Sequence, residues 1–303
     1  MRNAFATALV EAARLDPRIV LLTGDHGYAL FDEFRKACPE QYINAGVAEQ
    51  NMVGVAAGMA KGGFRPFVYG LSAFVPIRVL EQIKLDICYE ELPVVLIGDG
   101  AGVVYSSLGS SHQSTEDIAA LRAVPNITIL SPADAHEMQT CMQFALTGNR
   151  PVYLRMGKAD VGNIHSAIPQ IRLGELCQLQ QGAEELGFIA TGSMVNTALK
   201  LASLWENSSV WSAPCIKPLD REQVVSICQQ HQVIVTLEEH SIYGGLGSAI
   251  AEISATYAPT RILRIGIQDR FSKFCGSYQY LMEEHRLDLA AVKEQVKNFL
   301  TLI

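Results

Sequence analysis

Asn44-Ala-Gly-Val-Ala-Glu-Gln-Asn-Met-Val-Gly-Val-Ala-Ala-Gly-Met-Ala-Lys-Gly-Gly63 is the stretch whose reading decides the fold. A short strand (Tyr42, Ile43) runs into it and turns at Gly46. From Glu49 small and apolar residues (Met52, Val53, Val55, Ala56, Ala57, Met59) predict a helix that Gly62-Gly63 stop. A helix apolar nearly all round is buried on more than one side. Gly54 and Gly58 fall four apart on one face, where a second backbone can approach closely. Each glycine costs about 1 kcal/mol of helix propensity against alanine, so packing has to offset it. Glu49 is the one charged group at the entrance. It reads either as an acid on the helix dipole, worth about 0.3–1 kcal/mol, or as a carboxyl held in an apolar interface to share a proton with a ligand nitrogen.

Working outward, buried runs alternate with helical periods. The first helix (Met1–Val10, interrupted by Glu11, Arg14 and Asp16) is amphipathic and does not read as a signal peptide. Strands are expected at 19–23, 66–69, 93–97, 127–130 and 152–155. Helices are expected at 30–37, 75–89, 116–121 and 135–146, the last capped at Ser131 or Asp134. A long polar loop covers 98–114. After Gly157 the pattern lapses to about Gly182, then resumes with strands at 186–191, 210–212, 233–237 and 261–265, separated by helices. The expected fold is α/β: two doubly wound domains, each with a mainly parallel sheet, covering 1–160 and 183–303 with a linker at 161–182.

The totals narrow the function. At 303 residues, 49% hydrophobic and 18% charged, the chain has the composition of a globular protein with real cores. A formal charge of −7 argues against nucleic acid or an anionic membrane as the main partner, and no apolar run is long enough to span a bilayer. The seven cysteines carry no Cys-x-x-Cys and read as reduced core residues of a cytoplasmic protein.

Gly46-Val-Ala-Glu-Gln-Asn-Met52 resembles the segment of transketolase-like, thiamine-diphosphate-dependent enzymes that carries their cofactor-activating glutamate. The resemblance continues through Phe67-Val-Tyr-Gly-Leu-Ser-Ala-Phe74, Glu81-Gln-Ile-Lys84, Ser110-Ser-His-Gln-Ser-Thr-Glu-Asp117, Leu130-Ser-Pro-Ala-Asp134 and Glu238-Glu-His-Ser-Ile-Tyr-Gly-Gly-Leu-Gly247, in order over nearly the whole chain. It implies a pyrimidine-binding domain followed by a transketolase C-terminal domain.

By that resemblance Glu49 hydrogen-bonds the aminopyrimidine ring nitrogen and favours the imino tautomer, whose exocyclic nitrogen acts as base. Phe74, otherwise an ordinary core aromatic, matches a ring that packs on the pyrimidine. His112, otherwise a surface loop histidine, matches one that contacts substrate oxygens and assists proton transfer. Asp25, in a common Gly-Asp turn, matches a residue lining the substrate pocket. Arg155 matches a substrate-anion position, with an ion pair at the strand end as the other reading. Gly98-Asp-Gly100 with Asn126 loosely mimics a magnesium-diphosphate motif and is rejected, because the His-Gln loop within that span belongs to the pyrimidine-binding domain. Gly244-Gly-Leu-Gly247 reads as a tight strand-to-helix turn and not as a dinucleotide fingerprint.

By the same resemblance, the domain for the diphosphate and Mg2+, which lies N-terminal to this region in full-length members, is expected to be absent from this chain. The resemblance therefore implies a split enzyme with an N-terminal transketolase-like partner subunit holding that site, assembled as an α2β2 heterotetramer. The implied reaction is two-carbon ketol transfer from a ketose, or its phosphate, to an aldehyde. Leu108 occupies the position at which sugar-transferring members carry an acid that reads a substrate hydroxyl. That departure keeps open a 2-oxoacid donor, as in deoxyxylulose-phosphate synthases or 2-oxoacid dehydrogenase beta subunits. A non-catalytic assembly subunit is the reading from another class.

Overall fold

The computed structural model describes residues 1–157, 162–182, 185–205 and 207–302. The expected boundary residues 158–161, 183 and 184 lie outside them. Twelve strands are described: β1 (Ile19–Thr23), β2 (Tyr42–Asn44), β3 (Arg65–Leu71), β4 (Val95–Asp99), β5 (Thr128–Leu130), β6 (Val152–Met156), β7 (Cys177–Gln180), β8 (Leu186–Ala190), β9 (Ser209–Ser212), β10 (Cys215–Lys217), β11 (Val233–Ser241) and β12 (Arg261–Ile267). They form a seven-stranded sheet in the order β10-β5-β6-β4-β3-β1-β2 and a five-stranded sheet in the order β12-β11-β8-β9-β7. Within each sheet neighbours are parallel, except β10 on β5 and β7 on β9.

Burial on both faces explains why β1, β4 and β6 are apolar runs rather than alternating ones. Side chains still alternate in direction. Val20, Leu22, Val68 and Leu96 pack with Met52, Val53 and Ala56 of helix Glu49–Lys61 on one face. Ile19, Leu21, Phe67, Tyr69 and Val95 pack with Phe5, Leu9, Phe31 and Phe34 on the other. Each large apolar side chain buried this way contributes about 1.5–3 kcal/mol.

Three local readings are corrected. The lapse expected at 161–182 contains β7, an edge strand whose alternating Cys177-Gln-Leu-Gln180 leaves one face half wet. β10 sits between Pro214 and Pro218 and closes the first sheet with a strand from the second half of the chain. The single helix expected at 75–89 is a 3-10 turn (Ile77–Val79), one α turn (Leu80–Gln82) and a π turn (Ile83–Cys88). Of the cysteines, Cys275 is exposed and Cys177 half-buried; the other five are buried.

A charged seam welds the two sheets. Arg155 donates from Nε to Asp117 Oδ2 at 2.8 Å and from Nη2 to the Glu239 carbonyl at 2.8 Å. Tyr153 donates its hydroxyl to the same Asp117 oxygen at 2.8 Å. Glu239 reaches back from the end of β11 to accept Val103 N–H at 2.8 Å. All four side chains are buried. Desolvation pushes the Tyr153 hydroxyl well above the usual phenol range, with the Asp117 charge adding to it.

Candidate active site

The strand order reverses at β1: β2 lies on one side of it and β3 on the other. The crevice at the carboxyl ends of such strands is where open α/β sheets bind ligands. Glu49 follows β2, Phe74 follows β3, His112 follows β4 and Asp25 follows β1, so topology alone brings all four to this rim.

Glu49 is the first residue of its helix, and Gly46, with φ +71, makes the turn that delivers it there. The carboxyl is 3% exposed. Oε2 accepts from Arg78 Nη1 at 2.9 Å, while the buried Oε1 has no partner among the described residues. An acid serving the helix dipole alone would keep both oxygens wet. Leaving one oxygen of a buried carboxyl unmatched costs about 1–3 kcal/mol, so Oε1 is placed to accept from a donor.

The Arg78 guanidinium lies 4.2 Å above the Phe74 ring centre. Phe74 in turn meets the His112 ring edge-on, with centroids 5.3 Å apart and planes at 65°. His112 Nδ1 is 3.0 Å from the Ser111 hydroxyl. Glu49, Phe74 and His112 are therefore linked in one run of contacts, and Arg78 is the member that sequence reasoning missed. The signal was present: an arginine four residues after Phe74, in a segment taken for an ordinary helix.

Asp25 adopts φ 62, a costly conformation for a residue with a Cβ, and accepts from Asn44 Nδ2 at 3.2 Å. Asn44 Oδ1 accepts Gly46 N–H at 2.9 Å, which ties Asp25 to the turn before Glu49. Arg155 touches the same loop, donating from Nη2 to the Ser114 carbonyl at 3.3 Å, but its side chain is buried and its Nε and Nη2 are held by Asp117 and the Glu239 carbonyl, a geometry that fits the ion-pair reading.

The loop after β4 is pinned by the second half of the chain. Ser272 Oγ lies 2.7 Å from Gln113 Oε1 and 2.8 Å from His285 Nε2, and Gly276 N–H donates to the Ser106 carbonyl at 3.3 Å. Desolvation pulls the His285 pKa down, with the Arg270 charge adding to it. Nothing in the local sequence around His112 shows these anchors. Leu108 ends a 3-10 turn one turn before His112 and is exposed.

Two other motifs resolve by geometry. Asp99 Oδ2 accepts from Tyr69 at 2.8 Å, from Tyr105 at 2.9 Å and from Arg2, so that carboxylate is committed to a protein network. At Gly244-Gly-Leu-Gly247 the helix N-terminus is filled from within: Glu238 accepts Leu246 N–H at 2.7 Å and Gly247 N–H at 2.8 Å. A Cβ on Gly245 would stand 2.0 Å from Glu238 Oε2.

A doubly wound domain with a buried acid, a ring and a histidine at the switch-point rim, joined to a second α/β domain, fits the transketolase-like architecture of a pyrimidine-binding domain followed by a C-terminal domain. Family models agree in both halves: "Transketolase, pyrimidine binding domain" matches residues 1–163 and "Transketolase, C-terminal domain" matches residues 175–292. The chain belongs to the transketolase family. It is 33% identical to the 6-deoxy-6-sulfo-D-fructose transketolase subunit SqwH of Clostridium sp. (strain MSTE9), covering 95% of this chain and 90% of that protein. It is 35% identical to the 1-deoxy-D-xylulose-5-phosphate synthase of Pasteurella multocida (strain Pm70), covering 98% of this chain and 48% of that one. Among solved structures, a split gene transketolase in an inactive beta4 tetramer superposes with a TM-score of 0.89 at 34% identity, covering 99% of this chain and 98% of that chain.

Proposed function

We propose that this chain is the pyrimidine-holding subunit of a split transketolase that moves a two-carbon ketol unit from a ketose, or its phosphate, to an aldehyde. The observation that carries the reading is the buried Glu49 carboxyl with its unmatched Oε1. Family membership implies thiamine diphosphate, and an aminopyrimidine nitrogen suits that oxygen. When bound, the cofactor supplies the carbon centre that takes up the ketol unit.

The residues of this chain do the rest. Glu49 Oε1 shares a proton with the ring nitrogen and so sets the tautomer. Phe74 offers a flat apolar face for the ring. The Ser111 hydroxyl on Nδ1 orients His112, leaving Nε2 for a substrate oxygen and for proton transfer. Asp25, held in a left-handed conformation and tied to the Glu49 turn, lines the substrate end. Arg155 has no place in this scheme.

Mg2+ and the diphosphate belong, on this reading, to an N-terminal transketolase-like partner subunit, with the two chains forming an α2β2 heterotetramer in the cytoplasm. Three facts support a partner. The Clostridium relative is itself called a subunit. The split-gene neighbour is inactive as a tetramer of its beta chain. The Gly54–Gly58 face, expected to meet another backbone, is open in this chain, with nothing within 4 Å of either site. Among the described residues, no helix is long and apolar enough to cross a membrane.

The exposed apolar Leu108 and the synthase relative favour pyruvate as a second donor. Both donors are tested by mixing the chain with an N-terminal transketolase-like partner chain, thiamine diphosphate and Mg2+, then identifying the products from a ketose phosphate with an aldehyde and from pyruvate with the same aldehyde. Ketol transfer from the ketose is expected. Product formed only from pyruvate, with release of CO2, overturns ketol transfer.

A further inference from the structure

Arg78 holds a place that a cofactor ring would need. Its guanidinium is flat, cationic and rich in N–H donors; it faces the Phe74 ring at 4.2 Å and donates to the Glu49 carboxyl at 2.9 Å. A flat ring stacked on the same face of Phe74 and bonded to the same carboxyl would satisfy the same two groups in the same way. The Arg78 side chain is 45% exposed, whereas that of Glu49 is 4% exposed, so the arginine is the member of the pair free to leave. It sits in the short 3-10 turn Ile77–Val79 rather than in a regular helix.

We infer that Arg78 is a placeholder for the pyrimidine: in the unloaded chain it pairs with Glu49 Oε2 and covers Phe74, and ligand entry displaces it toward solvent. This rests on the cofactor-site reading above. It gives Arg78 two effects. A buried carboxyl stays paired and oriented while the site is empty, and ligand binding is weakened by the need to break the arginine's contacts. Arg78 is thus a positioning residue that tunes affinity.

Two measurements on the full-length chain test this, with 4-amino-2-methylpyrimidine as the probe. In the first, ligand-observed NMR titration compares wild type with Arg78→Met and Arg78→Lys. Removing the guanidinium leaves the ligand no competitor for Glu49 among the described side chains, so Arg78→Met is expected to bind about tenfold more tightly, equivalent to about 1.4 kcal/mol. Arg78→Lys, which keeps a charge but no planar face, should fall between. In the second, phenylglyoxal labelling of Arg78 in the wild-type chain, read by peptide mass spectrometry, should rise when the pyrimidine is added; this arm does not depend on a variant folding. Weaker or unchanged binding by Arg78→Met, or labelling that falls on addition of the pyrimidine, shows that Arg78 stays beside the ligand and overturns the placeholder role alone. Absence of pyrimidine binding by both wild type and Arg78→Met, with thiamine diphosphate also failing to bind the wild-type chain with its partner present, overturns the cofactor-site reading together with it.

Discussion

Replacing Arg155 with methionine separates two roles that the sequence left equal. In the structure the guanidinium is 4% exposed and Asp117 fully buried, 2.8 Å apart within the first domain, and the same guanidinium reaches the Glu239 carbonyl of the second at 2.8 Å. Methionine approximates the volume but strands the Asp117 charge, leaving it the Tyr153 hydroxyl at 2.8 Å and His240 Nε2 at 3.9 Å. Breaking a buried pair from one side costs about 3–5 kcal/mol. At about 2–4 °C per kcal/mol for a domain of 150–250 residues, the melting temperature should fall by about 6–20 °C. The assay is thermal unfolding followed by circular dichroism, beside steady-state kinetics of the complex at a temperature where the variant remains folded. Double replacement, Arg155→Met with Asp117→Leu, removes both charges and should recover part of the loss. An unchanged melting temperature together with a raised KM for a phosphorylated substrate would refute the seam role and restore Arg155 as an anion binder.

Two further outcomes follow from particular contacts. His165 Nδ1 lies 3.2 Å from Asp134 Oδ2 and Nε2 lies 3.5 Å from Glu137 Oε1. Burial alone would lower its pKa, but the Asp134 hydrogen bond, with Cys177 and Glu137, carries it up to about 10. A folded pKa above the unfolded value means this contribution to stability is complete below about pH 6.5 and is lost as pH rises through about 10, so His165→Gln should flatten the alkaline limb of a stability-versus-pH curve. Gly245→Ala puts a methyl against Glu238 Oε2, which caps the helix from inside, and should lower the urea midpoint; an unchanged midpoint would mean that Glu238 moves aside freely.

Much of the scaffold was legible because burial on both faces writes strands as apolar runs: Ile19–Thr23 and Val152–Met156 are visible without any partner. Glu49 stood out as a lone charge opening an apolar helix, but that position left the helix-dipole and ligand readings open, and its expected role came from the resemblance. β10 was not legible, because three residues between prolines carry no periodicity and gain their meaning only from β5, far away in sequence. β7 was lost because an edge strand with one wet face looks like linker. Arg78 was missed for a related reason: its partner Glu49 lies 29 residues away, and the four-residue spacing from Phe74, the one local mark, falls in a segment that is not the regular helix expected there. The anchors of the His112 loop, Ser272 and His285, belong to the other domain altogether.

The central claim is that one buried carboxyl sets the state of the cofactor ring, and substituting it tests this most directly. Glu49→Gln keeps the shape of the side chain and removes its proton-sharing. With the partner chain, thiamine diphosphate and Mg2+ supplied, turnover should fall by about 10²–10⁴-fold, the usual span for a lost acid–base partner, while the circular dichroism spectrum stays that of wild type. Turnover within a few-fold of wild type in that assay would contradict it.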